Sequence, residues 1–192
     1  MRQARLAVFV GGRSSRMGQP KGLLRVPGGG ATIVEHVVEC GRRAGLDPFL
    51  VGDAEPYADL ETDVARIADD PKVAGPLGGL LAALRLADRT SVDFVVTAAC
   101  DMPYIDVGVL ETLRDHPSPA TVLAARRTPE APWEPMLTRY RTELALPALV
   151  AASGSTRSFQ QFFASVEVEP LLLNEALVGA LRDWDSPDDV VL

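Results

Sequence analysis

The chain alternates short, wholly apolar runs with segments whose apolar residues recur at helical spacing. Residues 6–10 (Leu-Ala-Val-Phe-Val) are apolar throughout and lead into a Gly-Gly pair, which predicts a buried strand. Ile33, Val34, Val37 and Val38 then predict a helix that runs through Cys40 and closes before Gly45. Residues 49–51 predict a short strand and 64–68 an edge strand. Leu77, Leu80, Leu81 and Leu84 keep the i, i+3, i+4, i+7 rule and predict a helix ending near Asp88. Residues 93–99 form a second strongly apolar strand, followed by a helix over 106–114 with Asp106 as its N-cap. The pattern continues with a strand at 121–125, a helix over 141–150 and a short helix over 156–163. A late strand at 166–168 and a terminal turn or helix over 175–181 complete it. The sequence shows no internal repeat, and its one low-complexity segment, Pro27-Gly28-Gly29-Gly30, reads as a flexible loop.

Strands alternating with helices imply βαβ units and a largely parallel sheet covered on both faces. In such sheets ligands collect at the carboxyl ends of the strands, near the point where the strand order reverses. The segments after Val10, Val51, Ala68 and Ala99 are therefore the candidate site loops.

Composition narrows the function classes. The 192 residues, 47% hydrophobic and 23% charged, suffice for one domain over 1–192 with its own core. No apolar run approaches the ~20 residues of a membrane span, and the N-terminal run is too short for a signal peptide. Cys40 and Cys100 cannot form a disulfide framework and read as reduced, small core residues, so the expected location is cytoplasmic. A net charge of −7 argues against nucleic acid and anionic membrane as partners. Residues 1–30 run against that balance, with Arg2, Arg5, Arg13, Arg16, Lys21 and Arg25 and no carboxylate. A basic arm is the plain reading. Most of those charges, however, sit in a glycine-bearing loop directly after an apolar strand, and that placement points to a small, highly charged anion.

The loop reads Gly11-Gly12-Arg13-Ser14-Ser15-Arg16-Met17-Gly18-Gln19-Pro20-Lys21. Glycines let backbone N–H groups turn inward around an anion, and two arginines with a lysine can neutralise a polyphosphate from several sides. No Gly-Lys-Ser/Thr follows Gly18, so this is not a Walker A loop, and no G-x-G-x-x-G dinucleotide fingerprint is present.

With these residues in view, the chain resembles the molybdenum cofactor guanylyltransferases, the MobA-like nucleotidyltransferases. The opening Phe9-Val10-Gly11-Gly12-Arg13-Ser14-Ser15-Arg16-Met17-Gly18-Gln19-Pro20-Lys21-Gly22-Leu23-Leu24 is similar to the family's Leu-Ala-Gly-Gly-x-Ser-x-Arg-Met-Gly-x-Asp-Lys-x-Leu-Leu. Further matches are Gly75-Pro76-Leu77-Gly78-Gly79-Leu80, preceded by Asp69, and Cys100-Asp101-Met102-Pro103. A weaker one is Glu134-Pro135-Met136-Leu137 before Tyr140, and the last is Asp183-Trp184-Asp185-Ser186-Pro187-Asp188-Asp189, similar to the family's Asn-x-Asn-Thr-Pro-Glu-Asp. The matches keep the family's order across essentially the whole chain. Phe9-Val10 stands where the family has Leu-Ala, Pro20 where it has Asp, and Asp183 and Asp185 where it has Asn. The Pro-Lys form is similar to the sister cytidylyltransferases.

The resemblance implies a three-layer α/β/α, Rossmann-like nucleotidyltransferase fold with a mostly parallel sheet. It implies transfer of GMP from GTP to the phosphate of molybdopterin-bound molybdenum, with Mg²⁺ as cofactor and release of pyrophosphate. Transient contact with enzymes that deliver or receive the cofactor belongs to the same implication. Arg16, Lys21 and Asp101 are the implied catalytic residues. Phe9, Val10, Gly11, Gly12, Lys21, Asp53, Asp69, Gly75, Pro76 and Asp101 are the implied nucleotide-binding set, with Asp101 and Asp185 on the metal. On the residues alone, Lys21 reads as a phosphate contact that adds little to the core. Asp101 reads as a hard-cation ligand or a cap, Asp53 as a ribose or base acceptor or a turn-forming residue, and Asp185 as a second metal ligand or a cap. The lack of bulk at Gly78 and Gly79 leaves room for a purine. His36 and His116 stand alone, and Trp133 reads as part of a loop on the acceptor side. The rival readings are a cytidylyltransferase for the same cofactor, nucleotidyl transfer to a sugar phosphate, and a non-catalytic nucleotide-binding regulatory module.

Overall fold

The computed structural model describes residues 3–10, 19–60, 63–73, 75–173 and 175–184. Among them seven strands form one sheet: β1 (Ala4–Phe9), β2 (Asp47–Val51), β3 (Ala65–Ile67), β4 (Phe94–Ala99), β5 (Val122–Ala125), β6 (Thr138–Arg141) and β7 (Val168–Leu171). Their order is β3-β2-β1-β4-β6-β5-β7, and all run parallel except β6. The strand order reverses between β1 and β4, so the crevice beyond the carboxyl ends of these two is the expected ligand position.

Helices cover both faces, as burial on two sides of a parallel sheet demands. On one lie α1 (Ile33–Arg43), α3 (Val107–Asp115) and α6 (Glu175–Ala180); on the other α2 (Pro76–Arg89), α4 (Thr142–Ala152) and α5 (Phe159–Phe163). The period-2 alternation of a strand divides β1 and its extension between the two cores: Leu6, Val8 and Val10 face the first, Ala7 and Phe9 the second. Helix starts are fixed locally. Thr32 and Glu35 form a capping box on α1, and Asp106 accepts from the Val109 amide at 2.8 Å, the N-cap expected of it.

Strand β6 is the departure from the sequence expectation, which placed only a helix start at residue 141. Its Arg139 is 1% exposed. The guanidinium donates to the carbonyls of Leu113, His116 and Ser118 at 3.1, 2.6 and 3.0 Å and lies over the Phe94 ring. That arginine serves the carbonyls at the end of α3, a need invisible to a reading that places arginine in water. No helix among the described residues is long and apolar enough to cross a membrane.

Candidate functional site

Lys21 opens a 3-10 turn (Lys21–Leu23) downstream of β1, and Asp101 lies two residues beyond the end of β4. The fold brings these two residues, 80 apart in sequence, into an ion pair: Lys21 Nζ donates to Asp101 Oδ2 at 3.0 Å. Both side chains are largely shielded, 16% and 22% exposed, in the crevice where the strand order reverses. The Cys100 amide donates to the Phe9 carbonyl at 3.0 Å and the Val10 amide to the Val51 carbonyl at 2.9 Å, so the ends of β1, β2 and β4 are laced together beneath the pair. The C-terminal segment joins them. The Trp184 amide donates to the Asp101 carbonyl at 3.1 Å, and the Trp184 ring, 1% exposed, packs edge-on against Tyr104.

A second group assembles on the other side of Phe9. Gly75 caps α2 with φ +71°, a conformation that glycine adopts without penalty, and Pro76 occupies the first helical turn. The Asp69 carboxylate lies against the helix start: a Cβ on Gly79 would stand 2.9 Å from its Oδ1 and 2.7 Å from the Phe9 ring. One on Gly78 would stand 2.5 Å from the Val73 carbonyl. The expectation of purine space at these glycines is therefore corrected. The protein's own atoms fill that space, and the missing side chains let α2 approach β1 and the 69–73 turn. Partial burial raises the pKa of Asp69 above the usual carboxylate value.

Asp53 stands apart and exposed, its Oδ1 accepting from the Glu55 amide at 3.3 Å, which is the turn-forming arrangement. His36 Nε2 is 2.8 Å from the Ile105 carbonyl, a structural contact. Trp133 is held by paired hydrogen bonds to Gln160 of α5 and by Arg126 over its ring at 4.3 Å, at the carboxyl edge beyond β5. Gly11, Gly12, Arg16 and Asp185 lie outside the described residues. Among the described residues no three His, Cys, Asp or Glu side chains converge as a metal cluster. A cavity of about 410 Å³, lined by Asp88, Ser91, Val92, Asp93 and others, opens at the opposite, amino edge of the sheet and contains none of the candidate residues.

Two residues that sequence reasoning passed over touch the site. Gly22 packs against Val34 and Tyr57, and the Tyr57 hydroxyl is 3.8 Å from Cys100 Sγ. The signal available was one aromatic residue in the acidic stretch between β2 and β3. Burial, followed by the neighbouring Asp101 charge, pushes the Cys100 thiol up from 9.0 to about 11. The folded chain thus keeps a proton that the unfolded chain releases. Its stabilising effect is complete below pH 9 and is lost as pH rises toward 11, about 2–3 kcal/mol in all. Cys40, Tyr57 and Tyr140 are also held protonated by burial and add to the alkaline loss. Urea unfolding of metal-free protein between pH 8 and 11 should therefore show a fall that Cys100→Ala makes shallower; an equal fall in the variant refutes the assignment.

A profile of the MobA-like NTP transferase domain matches residues 6–186. A Synechococcus elongatus protein named probable molybdenum cofactor guanylyltransferase is 30% identical over 181 residues, covering 92% of this chain and 89% of its own. A Mycobacterium marinum protein of the same name is 32% identical over 194 residues, covering 94% and 90%. Among solved structures, the molybdopterin-guanine dinucleotide biosynthesis protein A of Archaeoglobus fulgidus superposes with a TM-score of 0.75 at 24% identity, covering 96% and 94%. That last likeness is one of fold.

Proposed function

Since the chain belongs to the MobA-like NTP transferase family and is a nucleotidyltransferase, we propose that it transfers GMP from GTP to the phosphate of molybdopterin-bound molybdenum. The observation that carries this reading is the meeting of Lys21 and Asp101 beyond the ends of β1 and β4. A terminal phosphate oxygen of the acceptor attacks the α-phosphorus of GTP. The bond from that phosphorus to the oxygen bridging to the β-phosphate breaks, and pyrophosphate departs with the electron pair. The nucleophile is already anionic, so no general base is needed, in keeping with the structural contact made by His36. Catalysis then consists of in-line positioning and neutralised phosphate oxygens.

Lys21 provides one of those positive charges, and the Arg16 loop the others. Phe9 and Val10 form the floor, and Asp69 beside Gly79, together with Gly75 and Pro76 at the start of α2, serves the ribose or base. Mg²⁺ takes one or two carboxylates alongside phosphate oxygens and waters rather than a dedicated protein cage. That suits Asp101, around which no metal cluster converges among the described residues, with Asp185 as the proposed second ligand. When bound, it would neutralise charge on the phosphates.

GTP is expected to be preferred over CTP and ATP. Product formation with each at equal concentration tests this, and a CTP preference, the reading that Pro20-Lys21 favours, would move the chain to cytidylyl transfer.

A further inference from the structure

Tyr57 is 2% exposed although it lies in a mostly polar, acidic connection between β2 and β3. It ends a 3-10 turn (Glu55–Tyr57), where its amide donates to the Ala54 carbonyl at 3.1 Å. Its carbonyl accepts from Arg66 Nη2 of β3 at 3.0 Å. The backbone is therefore pinned on two sides, and the ring is fixed in the core on the α1 face.

The phenol reaches both chain segments that carry the charged pair. A Cβ on Gly22 would stand 2.8 Å from Tyr57 Cε1 and 3.0 Å from its hydroxyl oxygen, with Val34 Cγ2 at 2.5 Å. Only a residue without a side chain fits there unless its neighbours move. Gly22 thus packs directly on the phenol, whose hydroxyl donates to Cys100 Sγ at 3.8 Å. Gly22 follows Lys21, and Cys100 precedes Asp101. One buried side chain thus holds the neighbour of each member of the pair. Burial keeps the phenol protonated far above neutral pH, so its donor persists under all working conditions.

We propose that Tyr57 is a positioning residue for nucleotidyl transfer: packed on Gly22 and bonded to Cys100, it fixes where the two backbone segments present Lys21 and Asp101 to the triphosphate and its metal. The inference rests on reading that pair as the phosphate- and metal-handling centre. A residue that merely filled the core would affect stability and nothing else. A residue that sets the pair also affects how well nucleotide and metal are held.

The test uses Tyr57→Phe, which keeps the ring and removes the hydroxyl that packs on Gly22 and donates to Cys100. Its control is Leu149→Val, a fully buried change on α4 across the sheet. Two quantities are read for each protein: Mg-GTP affinity from the nucleotide-dependent rise in Tm, and the Mg²⁺ concentration giving half-maximal turnover. Tyr57→Phe should bind Mg-GTP roughly tenfold more weakly and need more Mg²⁺, about what one lost hydrogen bond allows. Leu149→Val should lower Tm while leaving both quantities unchanged. If Tyr57→Phe matches the parent or the control in both, the positioning role is wrong. A parent that no nucleotide stabilises would instead overturn the functional reading beneath it.

Discussion

Asp101→Asn is expected to lower Mg²⁺-dependent GMP transfer by roughly 10²–10³-fold, the several kcal/mol that a catalytic metal supplies. The effect is concentrated in one residue because of where the strand ends. Phe94 to Ala98 are buried throughout, so β4 can lie only inside the sheet and must deliver Asp101 at its carboxyl edge. In the proposed reaction that carboxylate faces phosphates of the same sign, an arrangement that is repulsive unless a cation lies between them. Asparagine keeps the shape and loses the charge. The ion pair with Lys21 gives the variant a cost in stability as well. Lys21, 16% exposed, loses its Asp101 partner, which costs about 1–3 kcal/mol. Mg²⁺ titrations at fixed GTP, beside metal-free GTP binding, separate the two effects. An unchanged rate and Mg²⁺ dependence would reduce Asp101 to a turn residue.

The layers of the fold were legible because their signals are local. The apolar runs at β1 and β4 and the helical spacing in α1 and α2 each state their own element. What escaped depended on partners distant in sequence. Thr138–Arg141 carries two arginines and looks solvated, yet Arg139 is buried because carbonyls near the end of α3 need a donor and Phe94 offers its ring face. The late strand was expected at 166–168 and lies at Val168–Leu171, across Pro170. The proline is tolerated because β7 ends the sheet with β5 as its single strand partner. At the site, Lys21 and Asp101 were recognisable as chemistry-bearing residues, but not as partners of one another. Gly78 and Gly79 were legible as positions that need no side chain. The atoms that forbid one, the Val73 carbonyl and the Phe9 ring, belong to other segments.

The same ion pair gives Lys21→Gln an expected outcome with two opposite signs. Before nucleotide arrives, the Lys21 ammonium sits on Asp101 Oδ2 at 3.0 Å, on the carboxylate proposed to hold the divalent cation. Ammonium and metal therefore compete, and metal binding to the nucleotide-free protein includes the cost of displacing a shielded, charge-assisted contact. Glutamine removes the competing charge, so Mn²⁺ should bind the nucleotide-free variant about tenfold more tightly than the parent. Once a triphosphate is present, the ammonium has an alternative anion, and drawing it there frees Asp101 for the metal. Nucleotide and metal should thus favour one another in the parent, and by linkage each should strengthen the other equally. Glutamine cannot neutralise the phosphates, so turnover should fall roughly ten- to a hundred-fold even though the metal is held better. Free Mn²⁺ measured by electron paramagnetic resonance, with and without GTP, reads the first sign, and steady-state turnover the second. If glutamine weakens Mn²⁺ binding in the nucleotide-free protein, Lys21 supports Asp101 rather than competing for it. If turnover survives intact, the ammonium does not act on the phosphates.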